Sequence, residues 1–188
     1  MTILTQKVTP FVLNFALLVL ATLAIDGILH SLGLLYLGRW AGLLGVLILA
    51  SSFAYSLRKR KLFKAGPLPL WLRSHEFLAW LGALLILVHS GVHFNAVLPW
   101  AATLALLVAT GSGLVGKYLL KSSREQLKAR RAELAARGLA EQEQEEALII
   151  DSLTLKALGQ WKRAHLPITA TFLLLSLVHI ISILWFWS

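Results

Sequence analysis

The chain has 188 residues, of which 57% are hydrophobic and 14% charged, with no cysteine and a formal net charge of +9. A soluble domain carries about 25% charged residues, so this composition indicates an integral membrane protein. The excess of Lys and Arg then marks cytoplasmic loops rather than nucleic-acid binding. The lack of cysteine excludes iron–sulfur ligation, thioether-linked haem and disulfides within the chain, and leaves histidine as the strong nitrogen ligand.

Residues 1 to 10 are polar and include Lys7 and Pro10. An apolar run follows from Phe11 to about Tyr36. Its start resembles a signal peptide, with Ala21-Thr-Leu-Ala24 as a cleavage-like site, but the run continues well past Ala24 and reads as a long, tilted first membrane helix (11–36). Gly38-Arg39-Trp40 makes a short turn, and a second helix (40–57) ends at the basic cluster Arg58-Lys59-Arg60-Lys61 and Lys64. Gly66-Pro67-Leu68-Pro69 breaks the backbone. The third helix is Ser74 to Phe94 and the fourth runs from about Trp100 to Leu120. Residues 121–160 are rich in Arg, Glu, Gln and Ala, which are strong helix formers, and read as one or two helices on the cytoplasmic surface. They serve as a solvated connector or as a docking element. The fifth helix covers 165–187. The expected fold is therefore an all-α integral membrane protein, a single domain over 1–188. It is a five-helix transmembrane bundle with a helical cytoplasmic connector between the fourth and fifth helices.

Charge sets the orientation. The 58–73 loop and the 121–163 segment hold most of the Lys and Arg, while Arg39 is the only positive residue in the two opposite loops. The positive-inside rule puts the N-terminus in the cytoplasm and the C-terminus outside. Trp185 and Trp187 then belong to the outer aromatic belt, Trp71 and Trp161 to the inner one.

The histidines carry the chemistry. The third helix holds His75 and His89 and the fifth holds His165 and His179, fourteen residues apart in each case. Fourteen residues at 100° each bring a side chain back to within about 40° of its starting direction, about 21 Å along the axis. Both helices are entered from the cytoplasm and run parallel. His75 is therefore expected to pair with His165 near the inner face, and His89 with His179 towards the outer face. Two stacked imidazole pairs have the geometry for two bis-histidine haems. A lone histidine in a membrane helix is more simply a hydrogen-bonding group facing the bundle interior, but four at matched spacing favour ligation. His93 lies one turn beyond His89 on nearly the same face. It is the alternative to His89 as ligand, but its spacing of eighteen from His75 has no match on the fifth helix, which favours a place near a propionate, a quinone or the outer interface.

The surroundings follow from the same register. Gly82 lies seven residues from both His75 and His89, and Phe172 seven from both His165 and His179. A glycine opposite a phenylalanine fills the space between two cofactors. Gly42, Gly45, Gly111, Gly113 and Gly116 allow porphyrin edges to approach, or serve ordinary small-residue helix packing. Arg73, Lys162 and Arg163 flank the inner histidines and suit anionic propionates, or act as positive-inside anchors. Asp26 and His30 are neighbours on one helix face. An Asp at the centre of a membrane helix costs about 2.5–3.5 kcal/mol. The two form a protonatable pair lining a quinone pocket, or a hydrogen-bonded structural pair.

Several of these stretches together resemble small bacterial di-haem cytochrome b membrane subunits. They are Arg73-Ser-His75, Val88-His89-Ser90-Gly91, Gly111-Ser-Gly113-Leu-Val-Gly116-Lys-Tyr118, Trp161-Lys-Arg-Ala-His165-Leu-Pro167 and Val178-His179-Ile180. The ligand layout is similar to the cytochrome b of quinol-oxidising bc complexes and, more loosely, to the membrane domains of ferric reductases. The resemblance covers roughly residues 38–187, and the Pro-Glu-Trp quinol-site signature of the bc family is absent. It implies a bacterial plasma-membrane protein with two haem b groups, carrying electrons between the quinone pool and a cytochrome, iron–sulfur or flavoprotein subunit. Two imidazoles per iron leave no open position for oxygen. The competing expectations are a ferric-reductase-like domain fed by a flavoprotein and a histidine-lined transporter.

Overall fold

A computed structural model describes residues 3–91 and 96–186 and is helical throughout its elements. These are α1 (Ile3–Ser31), α2 (Tyr36–Ser52), α3 (Ala54–Lys59), α4 (Leu68–Ser90), α5 (Val97–Leu114), a π-helical stretch (Val115–Leu120), α6 (Lys121–Ala136), α7 (Glu141–Ala147) and α8 (Ile149–Phe186). Among the described residues five helical stretches are long and apolar enough to cross a membrane: Val8–Ser31, Tyr36–Lys59, Leu68–Ser90, Val97–Ala136 and Ile149–Phe186. Leu13, Leu20, Leu174 and Leu184 are among the most exposed side chains. That distribution suits lipid.

The helix boundaries depart from the apolar runs in three places, each for a physical reason. First, α1 stops at Ser31 rather than near Tyr36. Gly33 takes a left-handed conformation (φ +69°). Its N–H donates to the His30 carbonyl at 3.2 Å and the Leu34 N–H to the Leu29 carbonyl at 2.8 Å. These two bonds close the helix while the apolar composition runs on. Second, α4 begins at Leu68 rather than Ser74. Pro67 is its N-cap and Pro69 lies in its first turn, where a missing N–H has no helical partner to lose.

Third, the 121–160 connector is largely a continuation of the membrane helices. From Val97 the chain stays helical to Ala136 through the π-helical stretch, and α8 runs 38 residues from Ile149. A helix of that length spans about 57 Å, against about 30 Å of hydrocarbon. Gly138 (φ +77°) ends α6 in the same way that Gly33 ends α1, and α7 follows.

The chain divides into two compact units. The larger comprises Ala16–Thr110 and Thr169–Ser188, the smaller Met1–Phe15 and Gly111–Ile168. In the larger unit Leu18, Leu49, Ala83, Leu84, Leu87, Val88, Leu106 and Phe172 form one buried cluster. There α2 and α4 approach each other closely. A Cβ added at Gly82 would stand 3.0 Å from the Gly45 carbonyl oxygen and from Leu49 N and Cβ. One added at Gly45 would meet the Gly82 carbonyl oxygen at 3.0 Å. Two facing glycines let the helices touch main chain to main chain. In the smaller unit Leu120, Ser123 and Leu148 are buried, and Arg130 Nη1 donates to Asp151 Oδ2 at 2.7 Å.

Candidate functional site

His75 and His89 both reach α2. The His75 Nδ1 stands 3.0 Å from the Ser52 carbonyl oxygen, and the His89 Nδ1 stands 3.0 Å from the Gly38 carbonyl oxygen. With the Gly45–Gly82 contact these pairings form one antiparallel register: 52 with 75, 45 with 82, 38 with 89, at steps of seven residues. The fourteen-residue spacing on α4 is thus matched by a fourteen-residue spacing of acceptors on α2. A carbonyl oxygen can only accept, so in each neutral imidazole Nδ1 carries the proton and Nε2 keeps its lone pair.

Neighbours hold each ring. A Cβ at Gly42 would lie 2.5 Å from His89 Cγ and 2.7 Å from its Nδ1 and Cδ2, so the bare backbone of α2 seats that imidazole. The Tyr55 ring stacks on His75 with centroids 5.4 Å apart and planes 28° apart. Ser51, Ser52, Tyr55, Trp71 and Ser74 line a small cleft beside it.

On α8, His179 lies in the larger unit. Its ring is half-buried. One heptad earlier, Phe172 is 2% exposed and shares the buried cluster with Leu84 and Leu87 of α4. His89 and His179, the two imidazoles expected to pair towards the outer face, thus belong to the same compact unit. His165 belongs to the smaller unit. Its Nδ1 is hydrogen-bonded to the hydroxyl of Ser112, itself 2% exposed. The Gly113 Cβ position lies 3.6 Å from His165 Cε1, and the π-helical stretch begins two residues later.

The remaining residues fall as follows. Where the spacing predicts Gly82 between two cofactors, the structure uses its missing Cβ against α2. Of the glycines, Gly42 gives way to the His89 ring, whereas a Cβ at Gly113 would meet His165 at ordinary contact distance. Gly111 faces Phe15 at 3.8 Å, and nothing lies within 4 Å of a Cβ at Gly116. Arg73 and Arg163 are exposed, each two residues before a histidine.

His30 Nδ1 lies 2.9 Å from the Asp26 carbonyl oxygen and 3.5 Å from its Oδ1, with the carboxylate side buried and the ring exposed. Because α1 ends at Ser31, Asp26 sits about a turn and a half from the helix end rather than at its centre. The cost of its charge falls accordingly. His93 and Trp187 lie outside the described residues.

Bis-histidine ligation requires an Nε2 lone pair on each imidazole and a secured proton on Nδ1. His75 and His89 satisfy both. Among the described residues no three His, Asp or Glu side chains gather as a metal cage would require. The acceptors Gly38 and Ser52 and the seat at Gly42 are not evident from the histidines alone. Their signal is the heptad of small residues Gly38, Gly45 and Ser52, which matches His75, Gly82 and His89. Protein-family models, curated proteins and solved structures were each compared with the chain, and none matches.

Proposed function

We propose that this chain is a di-haem cytochrome b subunit of a bacterial plasma membrane. In this reading His75 with His165, and His89 with His179, ligate two haem b groups, in the pairing that the sequence register predicts. The protein then carries electrons across the bilayer between the quinone pool and a partner redox subunit. The observation that supports it best is the matched register on α2, which holds the Nδ1 protons of two α4 histidines on backbone carbonyls and leaves both Nε2 atoms able to ligate.

A ligated haem iron supplies the one-electron couple. The chain's own residues do the rest. The Ser52 and Gly38 carbonyls fix tautomer and ring orientation, which raises ligand basicity. Gly42 admits the His89 ring. Arg73 and Arg163 offer charge-assisted partners for propionates two residues from a ligand. Asp26 and His30 supply a protonatable pair close to one end of α1, suited to the proton that accompanies quinol oxidation. With the basic 58–64 cluster and the polar helical arms of residues 121–160 on the cytoplasmic side, the N-terminus lies inside and the C-terminus outside.

Purification in detergent tests this directly. The expected result is a Soret band, two haem b per chain by pyridine haemochrome, and loss of one haem in each of His75→Ala and His89→Ala. Haem reduction by a short-chain quinol supports the quinone reading. Reduction only by a reduced flavoprotein replaces it with the ferric-reductase-like one. A folded protein without a Soret band that binds divalent metal overturns the haem assignment in favour of a transporter.

A further inference from the structure

Three of the four histidines have a hydrogen-bond acceptor or partner at Nδ1, but the three are not alike. For His75 and His89 it is a peptide carbonyl of α2; for His165 it is the hydroxyl of Ser112, on α5. A carbonyl accepts only, so it dictates which nitrogen carries the proton. A hydroxyl both accepts and donates, so it tolerates either tautomer. Ligation through Nε2 requires the Nδ1–H form, in which the Ser112 oxygen accepts.

Resting on the di-haem reading, we infer that Ser112 is the positioning residue of His165: its buried hydroxyl accepts from Nδ1–H in the ligating tautomer, orients the ring and sets the reduction potential of that haem alone. An acceptor at Nδ1 makes an imidazole more electron-rich, and an electron-rich ligand stabilises the ferric state. Deleting the acceptor therefore moves the potential upward. The site is built for this contact. Ser112 is almost fully buried, and the helix changes to π geometry at Val115. Such a local change in helix type commonly accompanies a functional position. At α4 no side chain plays this part, because main chain holds both rings. The haem assigned to His89 and His179 is thus the internal control.

The test is a spectroscopic redox titration of the purified full chain as wild type, Ser112→Ala and Ser112→Thr, with the affected haem identified as the one lost in His165→Ala. The expected result is that Ser112→Ala raises one midpoint potential and leaves the other in place, while Ser112→Thr, which keeps the hydroxyl, keeps both. If Ser112→Ala instead loses the His165 haem, retention of that haem with its wild-type midpoint in Ser112→Thr supports the same assignment. Two unchanged midpoints in Ser112→Ala, equal shifts of both, or haem loss that Ser112→Thr also shows would overturn it. A wild-type protein with no haem would sink the underlying reading, and that outcome is visible before any variant is made.

Discussion

The two α4 histidines and His165 are held in opposite ways. His75 and His89 lean on the main chain of α2, whereas His165 leans on one side chain. A side-chain partner can be deleted by a single substitution. A backbone partner can be lost only if the helix carrying it moves. The security of the α4 histidines therefore rests on whatever sets the α2–α4 distance, which is the missing Cβ atoms at positions 42, 45 and 82.

That contrast is broken most severely at Gly42. A helical Gly→Ala change ordinarily gains about 0.5–1 kcal/mol from backbone entropy. Here any Cβ would stand 2.5–2.7 Å from the His89 ring, so the clash wins and the ring must leave the Gly38 carbonyl. On the di-haem proposal, Gly42→Leu is expected to lose one of two haems, read as the haem-to-protein ratio. Unchanged haem content would mean that His89 does not ligate from this position, and attention would pass to His93.

Gly82→Val comes next. Its Cβ would press on the Gly45 oxygen and on Leu49 main chain at 3.0 Å, which only a backbone shift relieves. Overpacking of this kind costs about 1–3 kcal/mol. The expected outcome is a lowered thermal midpoint in detergent with both haems retained at low temperature. A midpoint equal to wild type would show that the α2–α4 approach has slack, and the register argument would lose its steric basis.

How much of this was open to reading from the chain alone follows from what each signal needs. That His75 and His89 share one side of α4 was legible because a helix converts spacing into direction without reference to any neighbour. Gly38, Gly45 and Ser52 were not, because a heptad of small residues gains meaning only once its partner helix and register are known. Gly33 was masked by Leu32, Leu34 and Leu35: composition reports where lipid begins, not where backbone bonds end. The same distinction explains α8, whose helix starts at Ile149 although its apolar stretch starts near His165. Ser112 sits in a glycine motif that draws attention to its neighbours, and nothing in spacing links it to a residue 53 positions away.

Asp26→Asn is a milder perturbation. The His30 Nδ1 bond goes to the Asp26 carbonyl, which the substitution keeps, and the carboxylate stands farther off at 3.5 Å. Stability and haem content are expected to stay near wild type, with quinol-driven haem reduction slowed if the carboxylate handles the proton. An unchanged reduction rate would leave Asp26 with a structural role only.

The smallest effect is expected in the polar arms, where Arg130 and Asp151 form an ion pair with both side chains substantially solvated, 59% and 39% exposed. Such pairs contribute roughly 0.2–1 kcal/mol and weaken in salt, so Arg130→Ala should lower stability slightly at low ionic strength and not at high. The two partners are not equivalent, however. Asp151 lies in the first turn of α8, where a carboxylate also interacts with the helix N-terminus at about 0.3–1 kcal/mol. Asp151→Ala should therefore cost more than Arg130→Ala, and part of its cost should persist in Arg130→Ala background. Equal costs for the two single variants, with no residue of the Asp151 effect in the double variant, would reduce this contact to a simple pair. The start of α8 would then depend on Leu148, 1% exposed just before its first turn, rather than on charge.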